Sequence, residues 1–156
     1  MTRPGYWSKG SSCIVLARST EYAIRALTFL AQLPPGKLAG AREIAEAEGV
    51  PMPYLWKILQ MLTRKKLIRS FKGIHGGYEL ALPPDQVHLD SIVAATDGVD
   101  FSGQCVLGLP ECSEVQPCPL HETWKDVRNR LVSMFEHTTL ADMAQVARRR
   151  ARCKTG

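Results

Sequence analysis

The sequence has no apolar run that approaches the roughly 18 residues needed for a membrane-spanning helix. Its N-terminus also lacks a charged segment followed by an apolar stretch and a cleavage site. These absences argue against a membrane-bound or secreted protein, so we expect a cytoplasmic location and no membrane partner. No glycine-rich nucleotide-binding motif follows a predicted strand, which disfavours an enzyme.

Acidic residues are missing from one internal segment. Between Gly49 and Tyr78 there are six basic residues and no acidic ones, which gives this segment a charge of +6. Residues 139–156 carry a further +4, so the remainder is acidic at −5 although the whole chain is only +5. One segment and one tail of an otherwise acidic protein are therefore basic, and a polyanion is the natural partner.

Helical spacing of apolar residues predicts three helices in the first half of the chain. The first is capped by Ser19 or Thr20 and ends at the Pro34-Pro35-Gly36 run. The second covers residues 41–48 and ends at Gly49, and the third begins at Pro53. The third helix is predicted to bury a stripe of four residues, Leu55, Ile58, Leu59 and Leu62. Two helices joined by a tight glycine turn indicate a helix-turn-helix.

The apolar period changes to two after Leu67, which predicts two short strands around a glycine-rich turn. A β-hairpin directly after a helix-turn-helix is the wing of a winged helix. A further helix is predicted over residues 87–97, and the last regular element is a helix from His121 to about His137. The fold class is therefore mainly α with a small β-hairpin, a winged helix-turn-helix domain plus a long C-terminal dimerisation helix.

The predicted organisation has six parts. They are a disordered N-terminal arm (1–15), a winged helix-turn-helix domain (16–84), a connecting helix (85–98), a cysteine-containing loop (99–120), a dimerisation helix region (121–143) and a basic C-terminal tail (144–156). The dimer interface is predicted from a heptad-like apolar seam on the long helix, formed by Trp124, Val127, Leu131 and Met134.

The basic segment coincides with the predicted DNA-binding face of the winged helix. Residues near the start of the third helix can contact base edges, and the basic residues after it can pair with phosphates. The candidate DNA-binding residues are Tyr54, Lys57, Gln60, Arg64, Lys65, Lys66, Arg69, Lys72 and His75. Double-stranded DNA is the predicted partner, although a solvated basic face used for protein contacts would give the same pattern.

Five cysteines are too few, and odd in number, for a disulfide scaffold. Cys105, Cys112 and Cys118 fall within fourteen positions, and His121 follows at the start of a helix. Three soft ligands and a nitrogen donor can converge on one metal centre. Their spacing is wider than in common zinc sites and suits a larger inorganic cluster. Cys13 and Cys153 lie in the terminal extensions and are assigned no role.

Four stretches resemble the IscR/NsrR-type iron-sulfur winged-helix transcription regulators, over Leu16 to about Met143. They are residues 21–27 (EYAIRAL), the Gly76-Gly77-Tyr78 run, the three-cysteine loop and residues 117–121 (PCPLH). The resemblance implies a homodimeric DNA-binding regulator. Its promoter affinity would change with the state of a cluster that responds to iron-sulfur supply, redox state or nitric oxide.

The resemblance also implies a ligand set. Cys105, Cys112 and Cys118 match the cluster cysteines, and His121 matches the histidine ligand of members that hold a 2Fe-2S cluster. Glu21 is the alternative fourth ligand, because other members use a carboxylate of the first helix there, which can come from the partner subunit. We favour His121 and a 2Fe-2S cluster over a 4Fe-4S cluster.

Three other functions compete with this interpretation. A cluster-free winged-helix regulator could sense thiol oxidation or a small molecule, and a structural zinc ion could occupy the cysteine site. An iron-sulfur electron-transfer protein is the third, and it is disfavoured because the largest recognisable module is a DNA reader.

Overall fold

A computed structural model of the chain describes residues 16–96, 105–109 and 112–153. Its regular elements are six helices and two strands, together with a 3₁₀ turn at Pro84–Gln86. In chain order they are α1 (Arg18–Ala31), α2 (Ala41–Glu48), α3 (Met52–Arg64), β1 (Ile68–Phe71), β2 (Gly77–Leu80), α4 (Leu89–Thr96), α5 (His121–Glu136) and α6 (Leu140–Cys153). The mainly α fold with a small hairpin is confirmed. No helix among these residues is long and apolar enough to cross a membrane.

The first three helices form the core of the winged helix. The four predicted apolar residues of α3 are its buried residues, and they pack with the apolar face of α1. Gly49 ends α2 in the left-handed conformation, φ 64°, which a glycine adopts without steric cost. Pro51 then precedes α3 and Pro53 lies in its first turn, where the missing N–H costs no hydrogen bond. The helix-turn-helix is therefore encoded by local residues as predicted.

The wing is a two-stranded antiparallel sheet with an additional backbone bridge. β1 pairs with β2 in a register that sets Ile68 opposite Leu80. Ala39, in the loop before α2, exchanges hydrogen bonds of 3.1 and 2.8 Å with the backbone of Tyr78. The wing is thus joined to the loop that precedes the helix-turn-helix as well as to α3.

The start of α1 differs from the sequence prediction. The helix begins at Arg18 with Ala17 as its N-cap residue, and no side chain caps it. Thr20, predicted as a capping residue, is buried and lies 2.6 Å from Thr96 of α4 between the two hydroxyl oxygens. The predicted N-terminal arm and Cys13 lie outside the described residues.

The C-terminal end also differs. Residues 144–153, predicted as part of a basic tail, belong to α6, which packs against α1. Leu140, Ala144 and Ala147 are buried at helical spacing. The pattern is hard to recognise in the sequence because several arginines lie close to these residues. Thr139 and Asp142 cap the helix reciprocally, through the Thr139 N–H to Asp142 Oδ2 (2.9 Å) and the Asp142 N–H to Thr139 Oγ1 (3.2 Å).

Candidate nucleic-acid interface and cysteine site

All nine candidate DNA-binding side chains lie on the surface, where a nucleic acid could contact them. They extend from the exposed side of α3 through its C-terminal end to β1 and the wing turn; the residues are Tyr54, Lys57, Gln60, Arg64, Lys65, Lys66, Arg69, Lys72 and His75. The buried side of α3 holds the helix against α1. The arrangement therefore offers a basic surface supported by a packed core.

Two aromatic residues lie at the exposed start of α3. Tyr54 and Trp56 are 59% and 58% exposed, unusually high for side chains of this size. Tyr54 also makes an edge-to-face contact with Tyr22 of α1, with ring centroids 6.3 Å apart. Trp56 was not among the predicted DNA-binding residues, and the signal that could have found it is its position between Tyr54 and Lys57, outside the buried stripe.

The C-terminal end of α3 holds a lysine in an unusual backbone conformation. Lys66 has φ 60°, and it is the only residue other than glycine with a positive φ in the described part of the chain. The turn is closed by backbone hydrogen bonds of 3.0 Å from Lys66 to Thr63 and from Leu67 to Leu62. Glycine is the usual residue at this position of a helix end. A lysine is therefore kept here at a cost in backbone strain.

The cysteine site brings two of the predicted ligands into contact. The Sγ atom of Cys112 lies 3.2 Å from Nδ1 of His121. The backbone N–H of His121 donates to the backbone carbonyl of Cys118 at 3.0 Å. His121 is 4% exposed at the start of α5. Its other ring nitrogen, Nε2, is buried and has no hydrogen-bond partner among the described residues.

The donor set fits an iron-sulfur cluster in its chemistry, because it combines thiols with a buried imidazole that has an unused nitrogen. The cysteines are all partly exposed and none forms a disulfide within the described residues. No three cysteine, histidine or acidic side chains in the described ranges are close enough together to hold a metal ion. Cys105 and Cys118 are thus not assembled with the Cys112–His121 pair.

Glu21, the alternative fourth ligand, is buried within α1 and forms an ion pair with Arg25 one turn later. Arg25 is also buried, and its guanidinium lies 3.4 Å from the backbone carbonyl of Glu48, the last residue of α2. Sequence reasoning missed this connection, although the i, i+4 spacing of Glu21 and Arg25 signals an ion pair.

Glu48 is a buried acid next to the turn of the helix-turn-helix. It is 4% exposed, and its Oε2 atom has no hydrogen-bond partner among the described residues. Burial raises the pKa of Glu48 to about 7, and the nearby Arg25 charge offsets only part of this effect. A group whose charge changes with pH near neutrality therefore lies at the end of α2, next to the turn that leads to α3.

The predicted dimer seam on α5 remains largely uncovered by its own chain. Val127 and Met134 are 43% and 51% exposed, while Trp124 and Leu131 are half-buried. Phe135, which borders the seam next to Trp124 and Leu131, is the apolar residue that packs into the core. The structure thus places the seam where a second molecule could reach it.

A surface ion pair connects α5 to the cysteine loop. Lys125 pairs with Glu114, which lies between Cys112 and Cys118. The pair lowers the pKa of Glu114 and raises that of Lys125, and in both cases the hydrogen bond between them is the main cause. Both groups are accessible to water, so the pair orients the loop more than it stabilises the fold.

Comparison with known proteins identifies the family. A family model described as "Rrf2: Iron-dependent Transcriptional regulator" matches residues 16–146. The chain belongs to the Rrf2 family. A protein of Mycobacterium tuberculosis strain H37Rv, named as an HTH-type transcriptional regulator, is 34% identical to this Rrf2 protein over 130 residues, which are 83% of this chain and 80% of the relative. A relative of the same description from Aquifex aeolicus is 29% identical over 135 residues, covering 85% of this chain and 93% of the relative.

Solved structures confirm the winged-helix fold of this Rrf2 protein. CymR, titled the global cysteine regulator of B. subtilis, superposes with a TM-score of 0.74 at 22% identity, over 86% of this chain and 98% of CymR. IscR of T. potens superposes with a TM-score of 0.68 at 24% identity, over 88% of this chain and 89% of IscR. The chain is therefore a transcriptional regulator of the Rrf2 family with a winged-helix fold.

Proposed function

We propose that this Rrf2 regulator is a homodimer that binds double-stranded DNA, and that an iron-sulfur cluster controls its promoter affinity. The proposed ligands are Cys105, Cys112, Cys118 and His121, with Glu21 as the alternative to the histidine. The observation that carries the cluster assignment is the contact between Cys112 and His121, together with the buried Nε2 atom of the histidine, which has no hydrogen-bond partner among the described residues.

The basic surface around α3 and the wing supports the DNA assignment. Its lysines and arginines are exposed and can pair with phosphates, while Tyr54, Lys57 and Gln60 can reach base edges in the major groove. The exposed seam of α5 supports the dimer, because burial of Val127 and Met134 against a second copy would remove apolar surface from water. Two DNA-binding faces with fixed separation suit a two-fold symmetric site.

The chain's own residues connect the cysteine site to the DNA-binding face in two ways. His121 is the first residue of α5, and α5 contacts α4, which packs on α1 and α3. If Glu21 is the fourth ligand, Arg25 would connect the site to the end of α2, because it pairs with Glu21 and contacts the carbonyl of Glu48. When bound, the cluster would supply a centre that reacts with oxidants and nitric oxide. Ordering or release of Cys112 and His121 would then change the position of α5 relative to the partner copy. The distance between the two DNA-binding faces of the dimer would change with it.

The proposal is tested by anaerobic purification followed by visible absorption spectroscopy and iron and sulfide analysis. We expect a coloured protein with iron and acid-labile sulfide, and we expect apo and cluster-loaded protein to select DNA from random duplexes with different affinities at fixed salt. A colourless protein with stoichiometric zinc would contradict the cluster assignment. Equal affinity of both forms for every duplex would contradict cluster control.

Matched variants identify the fourth ligand. His121→Ala should change the absorption spectrum, whereas His137→Ala removes an exposed histidine at the end of the same helix and should leave it unchanged. Glu21→Ala tests the alternative ligand, although loss of the Arg25 ion pair requires a check of folding by circular dichroism. Cys153→Ser is the control for serine substitutions of the proposed ligands Cys105, Cys112 and Cys118, because Cys153 is exposed on α6.

The second candidate function is a cluster-free regulator that senses thiol oxidation. The partly exposed cysteines favour it, since accessible thiols beside an imidazole can be reactive. The fold similarity to the cysteine regulator CymR, for which an oxidised form from Staphylococcus aureus has been solved, is consistent with this function. A protein without iron whose DNA affinity changes reversibly with hydrogen peroxide and dithiothreitol would support it over cluster control.

A further inference from the structure

The tip of the wing carries an isoleucine that is almost fully exposed in the described part of the chain. Ile74 is 98% exposed, more than any other large hydrophobic residue in the described ranges. It lies in the turn between β1 and β2, with Lys72 and His75, both exposed, close to it in sequence. Its side chain is therefore almost wholly available for contact with another molecule.

The turn that presents Ile74 is held in place by close backbone contacts. The N–H of Gly76 donates to the carbonyl of Gly73 at 3.0 Å. A Cβ atom on Gly76 would overlap the carbonyl oxygen of Phe71, and one on Gly77 would lie 2.7 Å from the carbonyl oxygen of Ala39. Gly76 thus lets the turn fold closely onto the end of β1, and Gly77 lets the wing pack against the loop before α2. The isoleucine is therefore displayed on a preorganised turn.

We propose that Ile74 enters the minor groove of the bound DNA and selects A·T over G·C base pairs at the position it contacts. This inference rests on the proposed DNA-binding function and adds a specificity-determining residue to it. An A·T pair presents only acceptors in the minor groove, whereas a G·C pair adds the exocyclic amino group of guanine. Isoleucine cannot hydrogen-bond that amino group and would bury it without a partner.

The charges around the tip favour DNA as the occupant. Lys72 can pair with a phosphate at the edge of the groove, and His75 can donate a hydrogen bond there. Narrow, A·T-rich minor grooves have an enhanced negative potential that attracts basic side chains. No acidic residue occurs between Gly49 and Tyr78, and Glu79, the acid of β2, pairs with Arg69 across the hairpin. An apolar tip beside a lysine matches a groove with an apolar sugar wall and charged rims.

The test uses duplexes selected from a random pool by the wild-type protein, with base pairs replaced one at a time in the flanks of the recognised site. Each A·T pair is replaced by G·C and, separately, by inosine·cytosine, which has the major-groove face of G·C but lacks the amino group. At the position contacted by the wing we expect G·C to weaken wild-type binding by about tenfold and inosine·cytosine to restore it. Ile74→Ser should reduce this discrimination to less than about twofold.

Two control variants separate base selection from other effects. Lys72→Gln should weaken binding to all duplexes and flatten its salt dependence without changing the A·T preference. Val146→Ser removes an apolar residue that is 38% exposed on α6, and it should change neither property. If Ile74→Ser keeps the wild-type preference, or if inosine·cytosine binds as weakly as G·C, the inference is wrong while DNA binding stands. If the wild-type protein selects no DNA, the proposed function fails as well.

Discussion

The winged helix and the α5 region differ sharply in how many of their side chains are buried within their own chain. α1 buries ten of its 14 residues, whereas α5 buries only His121 and Phe135 of its 16. Since most helical stability in proteins comes from packing of an apolar face, α1 is held by its own domain and α5 is held by little of it. Within the described residues, the seam of α5 and the cysteines beside it are therefore held by few contacts of their own chain.

This contrast suggests a division of labour. The DNA-reading half is complete in one chain, because the same chain supplies its core, its turn residues and its wing contacts. We infer that the other half becomes complete only with a second copy and a bound group. A regulator benefits from this arrangement, because the part that responds to a signal should have the smaller stability of its own.

The largest expected effect would come from removing a core side chain of the winged helix. Leu59 on α3 is fully buried, so Leu59→Ala should lower the free energy of unfolding by about 2–5 kcal/mol. Met134→Ala on α5 removes a side chain of similar size that is 51% exposed. At concentrations where the chain is monomeric, it should change stability by less than about 1 kcal/mol.

Urea denaturation at two protein concentrations, with sedimentation velocity, checks this contrast. Met134→Ala should shift the monomer–dimer equilibrium toward monomer, and Leu59→Ala should not do so while it remains folded. Equal destabilisation of the monomer by both substitutions would mean that α5 packs into its own domain as firmly as α3 does, and the comparison would fail.

The two regions also differ in how far the sequence predicts them. The buried stripe of α3 was predicted residue by residue, because apolar spacing, Gly49 and Pro53 all point to the same structure. The hairpin was predicted for the same reason. The bridge from Ala39 to Tyr78 could not be read from sequence, since it joins residues far apart in the chain through backbone atoms alone.

The sequence-based prediction was less successful for the residues after 137. The arginines of residues 148–152 suggested a solvated tail, and the three small or apolar residues that anchor α6 on α1 are spread thinly among them. At the cysteine site, spacing suggested the candidate ligands, and of these the described structure brings together only Cys112 and His121. Spacing cannot identify the fourth ligand, because it carries no information about which helix, or which copy of the chain, approaches the loop.

The next effect concerns the charge buried within the winged helix. Glu48 has a pKa raised to about 7, so the folded state binds a proton more tightly than the unfolded state, in which a glutamate titrates near 4.3. Its contribution is most favourable below about pH 4 and is lost as the pH rises to about 7. Glu48→Gln should therefore stabilise the protein by about 3 kcal/mol at pH 8 and by only about 1 kcal/mol at pH 5.

Thermal or urea unfolding from pH 5 to pH 8 measures this effect. Glu46→Gln is the matched control, because Glu46 is exposed on the same helix and its substitution should not change the pH profile. The guanidinium of Arg25 is the charged group that acts on Glu48, and both variants retain it. A Glu48→Gln protein whose stability falls with pH as steeply as the wild type would show that this carboxyl is not the titrating group.

The smallest effect separates stability from DNA binding at a single residue. Lys66 has φ 60° at the end of α3, a conformation that costs an L-residue about 1–2 kcal/mol. Glycine adopts it without strain but loses about 0.5–1 kcal/mol of unfolded-state entropy. Lys66→Gly should therefore raise the free energy of unfolding by about 0.5 kcal/mol. The same variant should bind DNA more weakly, with a salt slope reduced by about 1, because one phosphate contact is lost.

Lys65→Gln provides the comparison for Lys66→Gly, because Lys65 has φ −81° and carries no such strain. It should weaken DNA binding to a similar degree without any gain in stability. Urea denaturation and salt-dependent DNA titration of both variants decide whether the strained lysine contributes to DNA binding. If Lys66→Gly gained stability and kept the wild-type salt slope, Lys66 would contact no phosphate. The strain at the end of α3 would then have no explanation in DNA binding.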